Sequence, residues 1–211
     1  MFLKALVKSL NLNFIFKLNS LFWKFILKIN NIKVGKDFYI EGSISLKLRG
    51  SKNNPVIIYD NVSIFGDIDL RTREDGQIKI KKGVNIDTNI RLVAARSATL
   101  SIGENTRIGC YTIINAGANL TLEKNCLVGA NCSINSSDHK IEGKEDFLYA
   151  GYNHSPIRIE QGCWLGTNVV ILPGIKIGKG SVIGASSVVT KDIPSYSISV
   201  GIPSKVIKKR I

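Results

Sequence analysis

At 211 residues, 44% hydrophobic and 21% charged, the chain is long enough for one domain with a sizeable core and too apolar to be disordered. Its formal net charge of +13 implies anionic company, such as phosphorylated small molecules, acidic lipid or nucleic acid. No zinc-finger spacing, RRM-like aromatic motif or helix-turn-helix pattern accompanies that charge, so a nucleic-acid partner is not expected.

The first element is the segment 1–32, "MFLKALVKSLNLNFIFKLNSLFWKFILKIN" and the two residues after it. Apolar residues recur at Leu3, Leu6, Val7 and Leu10, then at Phe14, Leu18, Leu21, Phe22, Phe25, Ile26 and Ile29, which is helical spacing. The stretch Asn11 to Asn13 is expected to break it into two helices. Lys17, Lys24 and Lys28 share one stripe, and the rest of the second helix is almost wholly apolar. No run of about 18 uncharged apolar residues exists, so a bilayer span is not expected. Two readings stand: residues 1–30 lie on an anionic membrane surface, or the helix packs on the domain or holds a trimer together. No small-residue cleavage site follows a clean apolar core, so no cleavable signal peptide is expected. The four cysteines, Cys110, Cys126, Cys132 and Cys163, form no CxxC pair. They read as reduced core thiols of a cytoplasmic protein, peripheral on the inner face of the membrane if the helix binds there, with no metal site.

From residue 33 to residue 211 the chain repeats every six residues. Ile102, Ile108 and Ile114 form one run, and Leu122, Val128 and Ile134 the next. Ile159, Leu165, Ile171, Ile177, Ile183 and Val189 form the last. Upstream lie Ile80, Ile86, Leu92, then Ile58, Ile64, Leu70, and more faintly Val34, Ile40, Leu46. The position four later is mostly small: Thr106, Thr112, Ala118, Cys126, Cys132, Cys163, Ser181, Ser187. The position one later is often glycine: Gly103, Gly109, Gly129, Gly166, Gly178, Gly184. A period of six fits neither an amphipathic helix nor an alternating strand. It fits short strands joined by tight turns, with glycine supplying positive φ at the turns. Three strands close a triangular coil, and seven coils at about 4.8 Å give a prism about 34 Å long. "RTREDGQ" and "ARSATL" read as corner insertions.

The repeat lapses once, at "INSSDHKIEGKEDFLYAGYNHSPIRI", and both histidines, His139 and His154, lie in the gap. The repeat, this excursion at 137–157, and "GCWLGTNVVILPGIKIGKGSVIGASSVVTKDIPSYSISVGIPSKVIKKR" together resemble the hexapeptide-repeat acyltransferases, in their sugar and polysaccharide O-acetyltransferase branch. The resemblance covers about residues 34 to 210. It implies an all-β fold, a left-handed parallel β-helix, whose hand runs against the usual right-handed crossover. It also implies a homotrimer with active sites between neighbouring prisms.

Transfer of an acetyl group to a hydroxyl needs a base, oxyanion donors and a site for the thioester. Imidazole titrates near physiological pH and suits the first task. The resemblance makes His139 that base, with acetyl-CoA as donor and a surface-polysaccharide sugar as acceptor. Asp138, Glu142, Glu145 and Asp146 are the candidates to orient it, and Asp138 stands next to it in "SDH". His154 is either a structural histidine or a substrate contact. Trp164 matches a tryptophan kept near the acyl donor in the family, and the CoA arm is expected along Gly166, Ala185, Ser186, Thr190, Lys191 and Lys205. The remaining basic residues, Lys208, Lys209 and Arg210, read as a solvated tail. Small-sugar acetyltransferases keep an acceptor-binding asparagine, but counting back through the coils reaches Gly109, with Asn115 nearby out of register. "SSDH" with a long loop looks more like the capsular type. N-acetylation of a nucleotide-linked amino sugar and a non-catalytic trimeric scaffold are the alternatives. Two histidines leave a three-histidine zinc site without its ligands in one chain.

Overall fold

The computed structural model describes residues 12–50 and 53–210. Among these, one helix, α1 (Leu12–Ile29), precedes 25 strands numbered in chain order, from β1 (Lys33–Val34) to β25 (Lys205–Lys209). Almost all pair in parallel, and successive strands fall in turn on three faces of a triangular prism. On the first face the register stacks Val34, Ile58, Ile80, Ile102, Leu122, Ile159 and Ile177. On the second it stacks Ile40, Ile64, Ile86, Ile108, Val128, Leu165 and Ile183. On the third it stacks Leu46, Leu70, Leu92, Ile114, Ile134, Ile171 and Val189. These columns are the repeat's aliphatic positions. All but Val34 and Leu46 are buried.

The glycines after those aliphatics serve a different purpose from the one expected. None of Gly103, Gly109, Gly129, Gly166, Gly178 and Gly184 has positive φ. A Cβ on Gly103 would lie 2.4 Å from the backbone of Glu123, and one on Gly166 2.6 Å from that of Ala185. Their smallness lets one coil rest on the next. The left-handed corners are taken mostly by asparagine, among them Asn61, Asn105, Asn125, Asn131 and Asn168, the residue type after glycine that best tolerates αL, and in three coils by Gly83, Gly162 and Gly180 at the position equivalent to Asn61.

The small inward side chains tie coils together. Thr106 Oγ1 donates to the Glu123 carbonyl at 3.0 Å, and Thr112 Oγ1 to that of Gly129 at 3.1 Å. Cys132 and Cys163 donate to the carbonyls of Gly166 and Gly178, each at 3.2 Å. Burial pushes the Cys163 thiol up to about 12, and those of Cys126 and Cys132 upward too, so all three stay protonated. All four cysteines are free. Cys110 departs from the core expectation, because it is only half-buried at a corner. Ala118 also departs: it is half-buried, and Ala116 and Leu120 fill the interior beside it. Both presumed corner insertions hold a corner, at Glu74 to Gly76 and at Ala95 to Ala98, but strand reaches into each: Arg71 to Arg73 extend β6 (Ile68–Arg73), and Thr99 opens β10 (Thr99–Ile102).

Both ends of the prism are covered. At the first coil, Asn19 Nδ2 donates to the carbonyls of Ile40 and Gly42, at 3.1 and 2.9 Å. Ser20 Oγ accepts from Ile40 N at 2.9 Å, and Leu27 enters the core. These contacts satisfy backbone groups that an open sheet edge would leave bare. Helix α1 runs unbroken from Leu12, so Asn13 does not interrupt it; the expected first helix lies outside the described residues. At the other end β25 folds back antiparallel on β24 (Ser197–Val200).

Candidate active site

β15 (Ser133–Asn135) carries Ile134, the last aliphatic before the repeat lapses. Ser136 then turns inward, fully buried. Its Oγ accepts from the N–H groups of Gly117 and Ala118, both at 3.0 Å, and donates to the Ala118 carbonyl at 3.0 Å. The chain leaves the prism as β16 (Ser137–His139) and returns as β17 (Tyr152–His154), an antiparallel hairpin. Its register sets Ser137 opposite His154, Asp138 opposite Asn153 and His139 opposite Tyr152. The Ser155 N–H donates to the Ser136 carbonyl at 3.0 Å and closes the neck.

His139 is exposed, with its ring centroid 4.3 Å from that of Tyr152. Among the described residues nothing hydrogen-bonds to its ring nitrogens. Asp138 Oδ1 instead accepts from the His139 backbone N–H at 2.9 Å, which fixes the strand rather than the ring. His154 is wired in. Nε2 lies 3.4 Å from an Arg96 guanidinium nitrogen and Nδ1 2.9 Å from Ser137 Oγ. Arginine only donates, so Nε2 carries the lone pair and Nδ1–H donates to the serine. A Cβ on Gly117 would lie 2.6 Å from Nδ1, so this packing requires glycine there. One coil apart on the third face, Asn115 Nδ2 donates to Asn135 Oδ1 at 3.2 Å, which also accepts from Ser137 N at 3.1 Å. The structure therefore gathers His139, His154, Asn115 and Asp138. It adds Arg96, Asn135, Ser137 and Tyr152, which sequence reasoning missed. Asn135 alone left a signal, standing one 20-residue coil after Asn115.

Desolvation first, then the charge of Arg96, hold the His154 pKa below the ordinary histidine value, with Glu74 opposing. The unfolded chain thus takes up this proton first as pH falls. The neutral form's stabilisation is complete above the unfolded pKa and is lost as pH drops toward the lower folded value. Melting temperature followed from about pH 7.5 to 5 should fall less steeply in His154→Gln than in the wild type. Parallel curves would assign the slope to other groups.

Trp164 stands elsewhere. It lies on β19 (Trp164–Leu165) of the second face, half exposed, beside Leu127 in a groove of about 530 Å³ that Phe65, Arg107 and Asp87 also line. The hairpin leaves the corner between the third and first faces, which is opposite the second, so one chain does not bring His139 and Trp164 together. Gly166 does not offer free backbone: its N–H donates to the Ile183 carbonyl at 2.8 Å and its carbonyl accepts from Cys132. Ala185, Ser186, Thr190, Lys191 and Lys205 are exposed on the last coils. Lys209 and Arg210 are not a free tail. Lys209 Nζ donates to Ser197 Oγ at 3.2 Å, and Arg210 to the Gly180 carbonyl at 2.9 Å. Among the described residues no cluster of three metal-ligating side chains occurs.

Residues 156–191 match the model of the bacterial transferase hexapeptide (six repeats), and residues 99–136 that of the hexapeptide repeat of succinyl-transferase. The chain is 33% identical over 167 residues to a probable acetyltransferase of Mycobacterium tuberculosis, covering 77% of this chain and 55% of that protein. It is 39% identical over 115 residues to a galactoside O-acetyltransferase of Lactococcus lactis, covering 51% and 54%. It thus spans about half the length of the curated relatives it matches. Among solved structures, the polySia specific acetyltransferase NeuO superposes with a TM-score of 0.67 at 28% identity, covering 85% of this chain and 86% of that one. An N-acyltransferase from Bacillus cereus, in complex with dTDP and coenzyme A, shares the fold with a TM-score of 0.63 at 19% identity, covering 89% of each chain.

Proposed function

From the premise that this is a hexapeptide-repeat chain with the left-handed β-helix of the acyltransferases, we propose that it transfers an acetyl group from acetyl-CoA to a sugar hydroxyl of a surface polysaccharide or its precursor. The observation that carries the reading is His139: exposed, in the hairpin at which the repeat lapses, with no hydrogen bond to its ring nitrogens among the described residues. In the proposed reaction a ring nitrogen takes the acceptor hydroxyl proton as the oxygen attacks the thioester carbonyl. The tetrahedral intermediate collapses, the C–S bond breaks, and the imidazolium returns its proton to the departing thiolate. Asn115 and Asn135 orient the acceptor. Trp164, Thr190, Lys191 and Lys205 hold the donor, the lysines toward its phosphates.

Because His139 and Trp164 occupy opposite sides of one prism, a complete site takes the hairpin of one subunit and the second face of its neighbour. This supports a homotrimer with shared sites. The test is thiol release from acetyl-CoA, with a panel of sugars, nucleotide sugars and de-O-acetylated glycan. Release that requires an acceptor supports the transferase. Absence of acetyl-CoA binding would favour a scaffold.

Helix α1 supports a further part of the reading, a peripheral membrane contact. Its buried side faces the first coil, while Phe14, Leu18, Leu21, Phe22, Phe25 and Ile29 are exposed along one face bordered on one side by Lys17 and Lys28. No described helix is long and apolar enough to cross a membrane. An apolar face bordered by lysines suits an anionic bilayer surface. Co-flotation with anionic vesicles should fall by about tenfold or more in Phe22→Glu/Phe25→Glu, on the burial value of a single aromatic. Equal flotation of the variant would remove the membrane from the account.

A further inference from the structure

The third face is unlike the other two near the helix-capped end. β3 (Ile44–Arg49) and β6 have six residues each and β9 (Ile90–Ala94) five, whereas strands of the second face in the same coils have two. The extra length carries cations. Side chains alternate along a strand, so Lys47, Arg49, Arg71 and Arg73 all point outward. The parallel register sets Lys47 beside Arg71 and Arg49 beside Arg73. These four side chains line a shallow cavity of about 160 Å³. Like charges side by side on neighbouring strands oppose pairing, so this ladder is not explained by sheet stability. Acidic neighbours neutralise it only in part. Asp69 pairs with Arg71 at 2.5 Å and Arg91 at 3.2 Å, while Lys47, Arg49 and Arg73 have no ion pair among the described residues. Glu74 adjoins Arg73 in sequence and lies near enough to His154 to affect it.

The ladder is continuous with the hairpin. Arg71 stacks on Val93, Val93 on Asn115, and Asn115 on Asn135. Along the same edge Thr72 stacks on Ala94 and Ala94 on Ala116, which places Arg73, Arg96 and His154 at successive levels. From Asn135 to Lys47 is four strand steps, about 19 Å. A single sugar at His139 does not reach that far; a chain of several units does.

We infer that the third face is a binding track for an extended acidic glycan, whose carboxylate or phosphate groups meet Lys47, Arg49, Arg71 and Arg73 while one unit lies at the hairpin. This deepens the proposed function by naming the acceptor as a polyanionic chain, and it rests on that reading for the hairpin end. Guanidinium groups in a row favour planar oxyanions. No aromatic side chain lines the cation cavity, whereas single-stranded nucleic acid needs stacking platforms.

The test uses the full chain and four labelled probes: a galacturonic acid octamer, a neutral maltose-type octamer, galacturonic acid itself and anionic vesicles. Anisotropy should show the acidic octamer bound in preference to the neutral one, with affinity falling as salt rises. Lys47→Ser/Arg49→Ser/Arg73→Ser should weaken it by about tenfold or more, since charged hydrogen bonds each contribute that much. Lys36→Ser/Lys82→Ser/Lys124→Ser removes the same charge elsewhere and should leave it within about twofold, because isolated exposed charges contribute little. Should the triple variant melt early, Arg73→Ser alone should still show a measurable loss. His139→Ala should bind the acidic octamer normally, so binding stands or falls apart from catalysis. Equal weakening in the two triple variants, or equal binding of acidic and neutral octamers, would overturn the track. So would a ladder variant that loses vesicles but keeps the acidic octamer, which would assign these cations to lipid.

Discussion

Replacing His139 with alanine should lower kcat for acetyl transfer by about 10²–10⁴-fold, the usual contribution of a positioned general base. The melting temperature should not move. The His139 ring lies against that of Tyr152 and, among the described residues, holds no hydrogen bond. His154 is the opposite case, since its ring joins Ser137 to Arg96. His154→Ala should therefore disturb the hairpin and its pH response as well as turnover. Steady-state kinetics on both variants, with circular dichroism melts alongside, separate the two roles. Full activity in His139→Ala would place the base elsewhere and leave the hairpin without a chemical task.

Ile134→Ala should cost about 2–5 kcal/mol of folding stability. Ile134 is fully buried, between Ile114 below and Ile171 above. A rigid prism cannot close the cavity without shifting whole coils, which sets the cost toward the upper end. Ile141, 74% exposed in the excursion, offers the control: its alanine variant should stay within about 0.5 kcal/mol. Urea titrations of the two report the contrast. Equal midpoints would mean that the column under the hairpin is not the core it is drawn as.

The prism was legible in its period of six, and its hand only through the family resemblance. Each sixth aliphatic marks an inward position, and three columns of buried side chains follow. The purpose of the glycines was not legible. Periodicity tells which way a residue faces, not what lies one coil away, so Gly166 read as a gap for CoA when it is a seat for Ala185. His139 and His154 were legible by their isolation in the break. Their different situations were not, because Arg96 reaches His154 across 58 residues from a segment outside the repeat. The cation ladder was hidden in the same way. "RTREDGQ" looks like a corner throughout, but strand runs on to Arg73 before the chain turns and sets its arginines against Lys47 and Arg49. Trp164 was singled out from the sequence, but its distance from the hairpin follows only from which face each strand joins.

The neck of the hairpin has a consequence for how such a protein changes over generations. Ser136 and Ser155 meet through one backbone hydrogen bond, and the coil resumes at Ile157 as though nothing had intervened. Lengthening a loop whose ends are already joined costs little, about 0.6 kcal/mol for each doubling. The segment from 137 to 154 can therefore be traded, lengthened or rewritten while the stack beneath keeps its register. New acceptors can be tried on an old prism, with the risk confined to one exchangeable cassette.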